Sequence, residues 1–144
     1  LVELFVQSAL EDGGTPSQGA MSKEAVERGV DTVEKMLTNK DAAQMVGSPA
    51  ATFVCLGMAM EDKPKLQSAA VRCYEKSIQY LDRFKAPGGS WERCVVLQQL
   101  GAVCLRQKRF EEAERWLADC TKACAQAEGH PRDAVLFQGG FSTG

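Results

Sequence analysis

The chain has 144 residues, 44% hydrophobic and 25% charged, and its 17 basic and 19 acidic side chains leave a net charge of -2. That length suits one domain with a continuous core. Near-neutral charge without a Lys/Arg block argues against nucleic acid and membrane surfaces as partners, and apolar runs of only a few residues predict no membrane insertion.

Residues 1–12 form a short amphipathic helix, because Leu1, Phe5, Val6, Ala9 and Leu10 recur at spacings of three and four. Residues 13–21 contain a Gly/Ser/Pro/Thr stretch without periodicity and read as a flexible linker. Residues 22–46 hold a helix capped by Ser22, with Val26, Val30, Val33 and Leu37 on one stripe. Gly47-Ser48-Pro49 then stops one element and starts another, with Ser48 as cap and Pro49 in the first turn. A helix from about Pro49 to Glu61 follows. Pro64 opens the next, with Leu66, Ala70, Tyr74, Ser77 and Leu81 facing inward. Ala86 to Ser90 is a break with Ser90 as cap, and helices follow from about Trp91 to Gln107 and from about Phe110 to Ala127. Gly129-His130-Pro131 turns the chain into one further, truncated helix, and residues 141–144 are a tail. No β-alternation with hairpin turns competes, so the fold class is all-α. The start at Leu1 and the Gly-Phe-Ser-Thr-Gly end read as a piece of a longer protein.

Six cysteines occur, at positions 55, 73, 94, 104, 120 and 124. The chain is rich enough in apolar helix to need no disulfide framework, so the expectation is six reduced thiols acting as small hydrophobes in a reducing, cytoplasmic compartment. Cys120 and Cys124 lie one helical turn apart and could present two thiolates to zinc. With His130 the only histidine, a four-ligand site is not expected. No metal and no cofactor are expected.

Catalytic readings find little footing. No Ser/His/Asp set can be assembled around His130, and neither Gly13-Gly14 nor Gly88-Gly89 precedes the Lys-Ser/Thr of a phosphate loop. Glu111 and Glu112 complement a helix N-terminus, and Arg106, Lys108 and Arg109 run directly into them as a mixed, solvated face. No enzyme is expected.

Two segments repeat. Ala51 to Gly57 and Val95 to Gly101 each end in Leu-Gly behind a large apolar residue, and Ala70 and Ala113 follow at nearly equal distances. A glycine facing an alanine lets two antiparallel helices approach closely while bulky neighbours fill the holes. Phe53, Leu56, Gly57, Ala70, Tyr74 and Ser77 in one copy resemble the tetratricopeptide repeat pattern. Leu97, Leu100, Gly101, Cys104, Phe110, Ala113 and Leu117 do so in the other. The first copy departs from the pattern by one extra residue in its turn and by Met60 where an aromatic is usual. Gly57 and Gly101 stand 44 residues apart, beyond the standard unit of about 34. The likeness is therefore to extended repeats such as those of kinesin light chains and vesicle-fusion adaptors.

The resemblance implies a right-handed solenoid of stacked hairpins over residues 47–140, with the last one truncated. It further implies a groove, lined by the first helix of each hairpin, that holds a partner peptide or amphipathic helix. The groove positions would be Val54, Met58 and Glu61 in one hairpin and Gln98, Ala102, Leu105 and Arg106 in the other. The resemblance speaks against one partner, the heat-shock chaperone C-terminus. The Lys and Asn residues that grip its carboxylate in co-chaperones of this family are Val54, Met58 and Gln99 here. The expected function is thus a non-catalytic adaptor, with a self-associating structural segment as the alternative. Residues 1–12 are either a native capping helix or a tethered peptide ligand, since Gly19-Ala20-Met21 resembles a cloning junction.

Overall fold

The computed structural model describes residues 2–10, 21–38, 48–84 and 89–126. Its elements are α1 (Val2–Ala9), α2 (Lys23–Thr38), α3 (Pro49–Met60), a 3-10 turn (Pro64–Leu66), α4 (Gln67–Phe84), α5 (Gly89–Arg106) and α6 (Phe110–Gln126). The chain is all-α, and no strand occurs among the described residues.

Two helix starts form as their sequences dictate. Ser22 Oγ accepts the amide of Ala25 at 3.1 Å, and Ser48 Oγ accepts that of Ala51 at the same distance, each satisfying an amide with no partner inside its helix. Ser90 is different. It lies inside α5, which already begins at Gly89, so it is not the cap. A glycine in the first turn costs only about 1 kcal/mol of helix propensity and is no barrier to an upstream start. Residues 13–20 of the predicted linker, the Gly47 stop, Pro87 and the turn at Gly129–Pro131 with its following helix lie outside the described residues. Met21, the linker's last residue, is instead buried, with its amide donating to the Lys65 carbonyl at 3.4 Å.

The described chain divides into two compact units, Leu1–Tyr80 and Leu81–Gly144. In the first, α4 is the spine. Helix α3 lies antiparallel against it: Ser77 Oγ donates to the Ala50 carbonyl at 2.9 Å, Tyr74 Oη donates to Glu61 Oε2 at 2.7 Å, and the rings of Phe53 and Tyr80 stack 5.8 Å apart. Helix α2 also pairs with α4, but in the same direction. Arg72 donates to Glu27 at 2.5 Å, and Tyr80 Oη donates to Glu34 at 2.7 Å, at sequence offsets of 45 and 46 residues. Helix α1 packs on α2. Its Phe5 ring covers Gly29, where a Cβ would fall 2.7 Å from the ring, and Ser8 shares a hydrogen bond with Thr32. Phe5, Val33, Phe53, Met60 and Tyr74 are fully enclosed, each contributing about 1.5–3 kcal/mol through burial.

In the second unit α5 and α6 pack antiparallel as one hairpin. The turn between them closes by two backbone bonds. Arg109 N donates to the Cys104 carbonyl at 2.9 Å and Lys108 N to the Leu105 carbonyl at 3.0 Å. Lys108 sits at φ 61°, so this is a Schellman ending with lysine at the left-handed position where glycine is usual.

The two sequence copies become two matched hairpins. Phe53 and Leu97, Leu56 and Leu100, Met60 and Cys104, and Ala70 and Ala113 are buried pair by pair. One detail differs from the expected geometry. The residue over each glycine is not the alanine but the bulky side chain one turn further on. A Cβ on Gly57 would lie 2.5 Å from the Tyr74 ring, and one on Gly101 would lie 2.6 Å from Leu117. The alanines are buried beside these contacts, and the glycines make room for bulk rather than for close backbone approach.

Candidate functional site

The predicted groove positions lie on one face of α3 or of α5, apart from Glu61, which caps the C-terminal end of α3, and none of them is buried. On α3, Val54 is half-buried and Met58 is 50% exposed. On α5, Gln98 and Ala102 are half-buried, Leu105 is 47% exposed and Arg106 is exposed. In the hairpin alignment Val54 matches Gln98, Met58 matches Ala102 and Glu61 matches Leu105. Each first helix thus keeps a stripe at the same register outside its core. Helix α3 is apolar almost throughout, whereas Gln98, Gln99 and Arg106 interrupt the apolar surface of α5; each still keeps one large apolar side chain, Met58 or Leu105, in water. Glu61 is used differently from the expectation. It accepts the Tyr74 hydroxyl through its side chain and Gln67 Nε2 at 3.3 Å through its carbonyl, and so clasps its own hairpin.

The residues singled out in the N-terminal segment divide between two sides of α1. Phe5 and Ala9 are buried. Val6 and Leu10, with Val2, Glu3 and Gln7, line an open apolar cleft of about 660 Å³ completed by Lys63 and Leu66. Leu1 is outside the described residues. At its C-terminal end α1 is held to α2 by Arg28, whose Nη2 donates to the Ala9 carbonyl at 3.4 Å.

Charge in the first unit is spent mainly between α2 and α4. The Arg72 guanidinium hydrogen-bonds Glu27 through two nitrogens and holds that carboxyl below its ordinary range, while the carboxylate raises the guanidinium in turn. Lys76 Nζ stands 3.1 Å from Glu34. These groups link helices rather than line a cavity.

The cysteines overturn the expectation of six reduced thiols. Cys94 and Cys124 form a disulfide across α5 and α6. Cys120 lies beside it, its Sγ 3.7 Å from that of Cys94 and 3.3 Å from the Cys94 carbonyl. The three sulfurs lie within 4.8 Å of one another. Cys94 is fully buried, whereas Cys120 and Cys124 are half-buried. Burial pushes the Cys120 thiol above its ordinary value. Cys55 is exposed, and Cys73 is buried with its thiol pushed up to about 12 by desolvation.

This cluster escaped local reading because Cys94 is 30 residues from its disulfide partner. The glycine–alanine register expected from the repeat would have set Cys94 opposite Cys120; with Leu117 over Gly101 instead, Cys94, two turns before the glycine, faces Cys124, two turns after the leucine.

No helix among the described residues is long and apolar enough to cross a membrane. Comparison with known proteins finds no family model, no curated protein and no solved structure that matches the chain.

Proposed function

We propose that this chain is part of a tetratricopeptide-like solenoid and works as a non-catalytic adaptor, holding a partner helix or peptide against the outward stripe that each first helix, α3 or α5, presents. The observation that carries the proposal is the exposure of Met58 and Leu105 on first helices whose buried sets match position by position. A stripe of apolar side chains left in water at helical spacing is the surface that an amphipathic helix covers. The α2–α4 pairing adds support. Its offset of 45–46 residues is close to the 44-residue spacing of Gly57 and Gly101, and same-direction second helices are what stacked hairpins require. In this reading α2 is the second helix of a preceding repeat, and α1 caps it.

The test is Met58→Glu with Leu105→Glu in the full chain. Partners captured by the wild type are lost while helix content and melting temperature stay unchanged. An unchanged set of partners rejects this surface. Self-association that persists in the double variant, read as concentration-dependent mass, favours the structural-segment alternative. Deleting residues 1–18 tests α1 separately. A soluble remainder that rebinds a synthetic peptide of residues 1–12 marks α1 as a ligand, whereas aggregation without rebinding marks it as a cap.

A further inference from the structure

We propose that Cys94, Cys120 and Cys124 form a three-thiolate site for a soft d10 cation, zinc(II) or copper(I), open only when the Cys94–Cys124 disulfide is reduced. Three cysteines from two helices converge at one end of the α5–α6 hairpin, all sulfurs within 4.8 Å. Sulfurs bound about 2.3 Å from a tetrahedral zinc stand about 3.8 Å apart, and Cys94 Sγ and Cys120 Sγ already stand 3.7 Å apart. Cys120 and Cys124 are separated by one turn of α6, so both project to the same side, toward Cys94 on α5. Soft thiolates select such cations over magnesium or calcium. No other His, Cys, Asp or Glu among the described residues joins the group, so a copper(I) ion would take the three sulfurs alone, and zinc(II) would add a water. The half-buried state of Cys120 and Cys124 provides the entry path, and the buried Cys94 anchors the site.

The disulfide gates the site. A dithiol or phosphine reductant delivers two electrons, the bond between Cys94 Sγ and Cys124 Sγ breaks, and each sulfur takes a proton. A dithiol leaves as its own disulfide, and a phosphine leaves as its oxide with oxygen from water. Binding the cation then releases the protons of the three thiols, so affinity rises with pH. In the oxidised chain two of the three donors are tied to each other and Cys120 alone cannot hold an ion.

Zinc(II) titrated into the full, phosphine-reduced chain against a chromophoric chelator tests the proposal. One zinc per reduced chain is expected, with none retained by the oxidised chain. Cys94→Ala and Cys120→Ala should each weaken binding at least about ten-fold, and Cys55→Ser should not change it. Cys120→His should restore binding, because imidazole replaces thiolate as a ligand but not as a small hydrophobe. Cadmium(II) absorption should report three thiolates per ion. A reduced chain that takes no zinc, or Cys120→Ala binding as tightly as wild type, overturns the site. So does a cadmium spectrum of two thiolates. Far-ultraviolet circular dichroism confirms that each variant remains helical, and the histidine variant decides the matter if an alanine variant does not.

Discussion

The α3–α4 and α5–α6 hairpins bury the same pattern and close it by different means. In the first, a fully enclosed tyrosine sits over Gly57 and is held by Glu61, while Ser77 ties the other end to the Ala50 carbonyl. In the second, Leu117 sits over Gly101 yet remains 37% exposed, and the far end is joined by a disulfide. The turns differ as well. Pro64–Leu66 absorbs one extra residue as a 3-10 turn, whereas Lys108 closes a tight Schellman ending. One packing solution therefore tolerates a polar, aromatic clasp or a covalent one. The register of glycine and bulk is what both hairpins share.

The largest expected effect separates the clasps directly. Reducing the disulfide in metal-free buffer should lower unfolding stability by about 3.6 kcal/mol, from the entropy of closing a loop between cysteines 30 residues apart. The loss should appear as a lower urea midpoint, and hydrogen exchange should place it in α5 and α6. Exchange that quickens instead in α3 and α4 would break the comparison.

The two glycines come next. Gly57→Ala drives a methyl into a ring with nowhere to go, at about 3 kcal/mol of overpacking, and after a helix-propensity gain of about 1 kcal/mol should still cost about 2 kcal/mol net. Gly101→Ala meets a half-open leucine that can rotate aside, and it gains about 1 kcal/mol of helix propensity, so its net cost should stay below about 1 kcal/mol. Equal urea midpoints for the two variants would show that Leu117 is as tightly held as Tyr74. Tyr74→Phe removes only the hydroxyl donated to Glu61 and should cost about 1 kcal/mol in the same assay.

The hairpins should also differ in alkali. Cys73, whose counterpart in the second hairpin is Trp116, has a folded pKa raised from 9.0 to about 12. A raised thiol pKa stabilises the fold fully below 9.0 and loses that stability as the pH climbs toward about 12. Over the first unit above 9.0 the loss should be about 1 kcal/mol. Denaturant titrations at several pH values should show a flatter slope for Cys73→Ala than for wild type. The smallest effect is a gain. Lys108→Gly should stabilise by about 0.5–1 kcal/mol, because glycine occupies the left-handed region without strain. A loss there would mean that the lysine side chain makes a compensating contact.

Much of the fold is legible in the residues. Ser22, Ser48 and Pro49 mark helix starts because a cap acts within one turn, and Leu66, Ala70, Tyr74 and Ser77 mark the buried stripe of α4 because its period is local. The matched copies around Gly57 and Gly101 also locate the outward positions Met58 and Leu105. The misread parts depend on what faces what. Ser90 looks like a cap from its neighbours alone, the alanines look like partners of the glycines, and Cys94 looks like an isolated hydrophobe.

The amino-acid order by itself determined that the chain is helical, where most helices begin, and which two segments are copies, since all three rest on spacings of a few residues. Tertiary structure alone decided that Tyr74 and Leu117 fill the space over the glycines, that α2 runs alongside α4, and that Cys94 meets Cys120 and Cys124. Those outcomes depend on side chains tens of residues apart, and such distances close only when apolar faces are buried together and bring their neighbours into register.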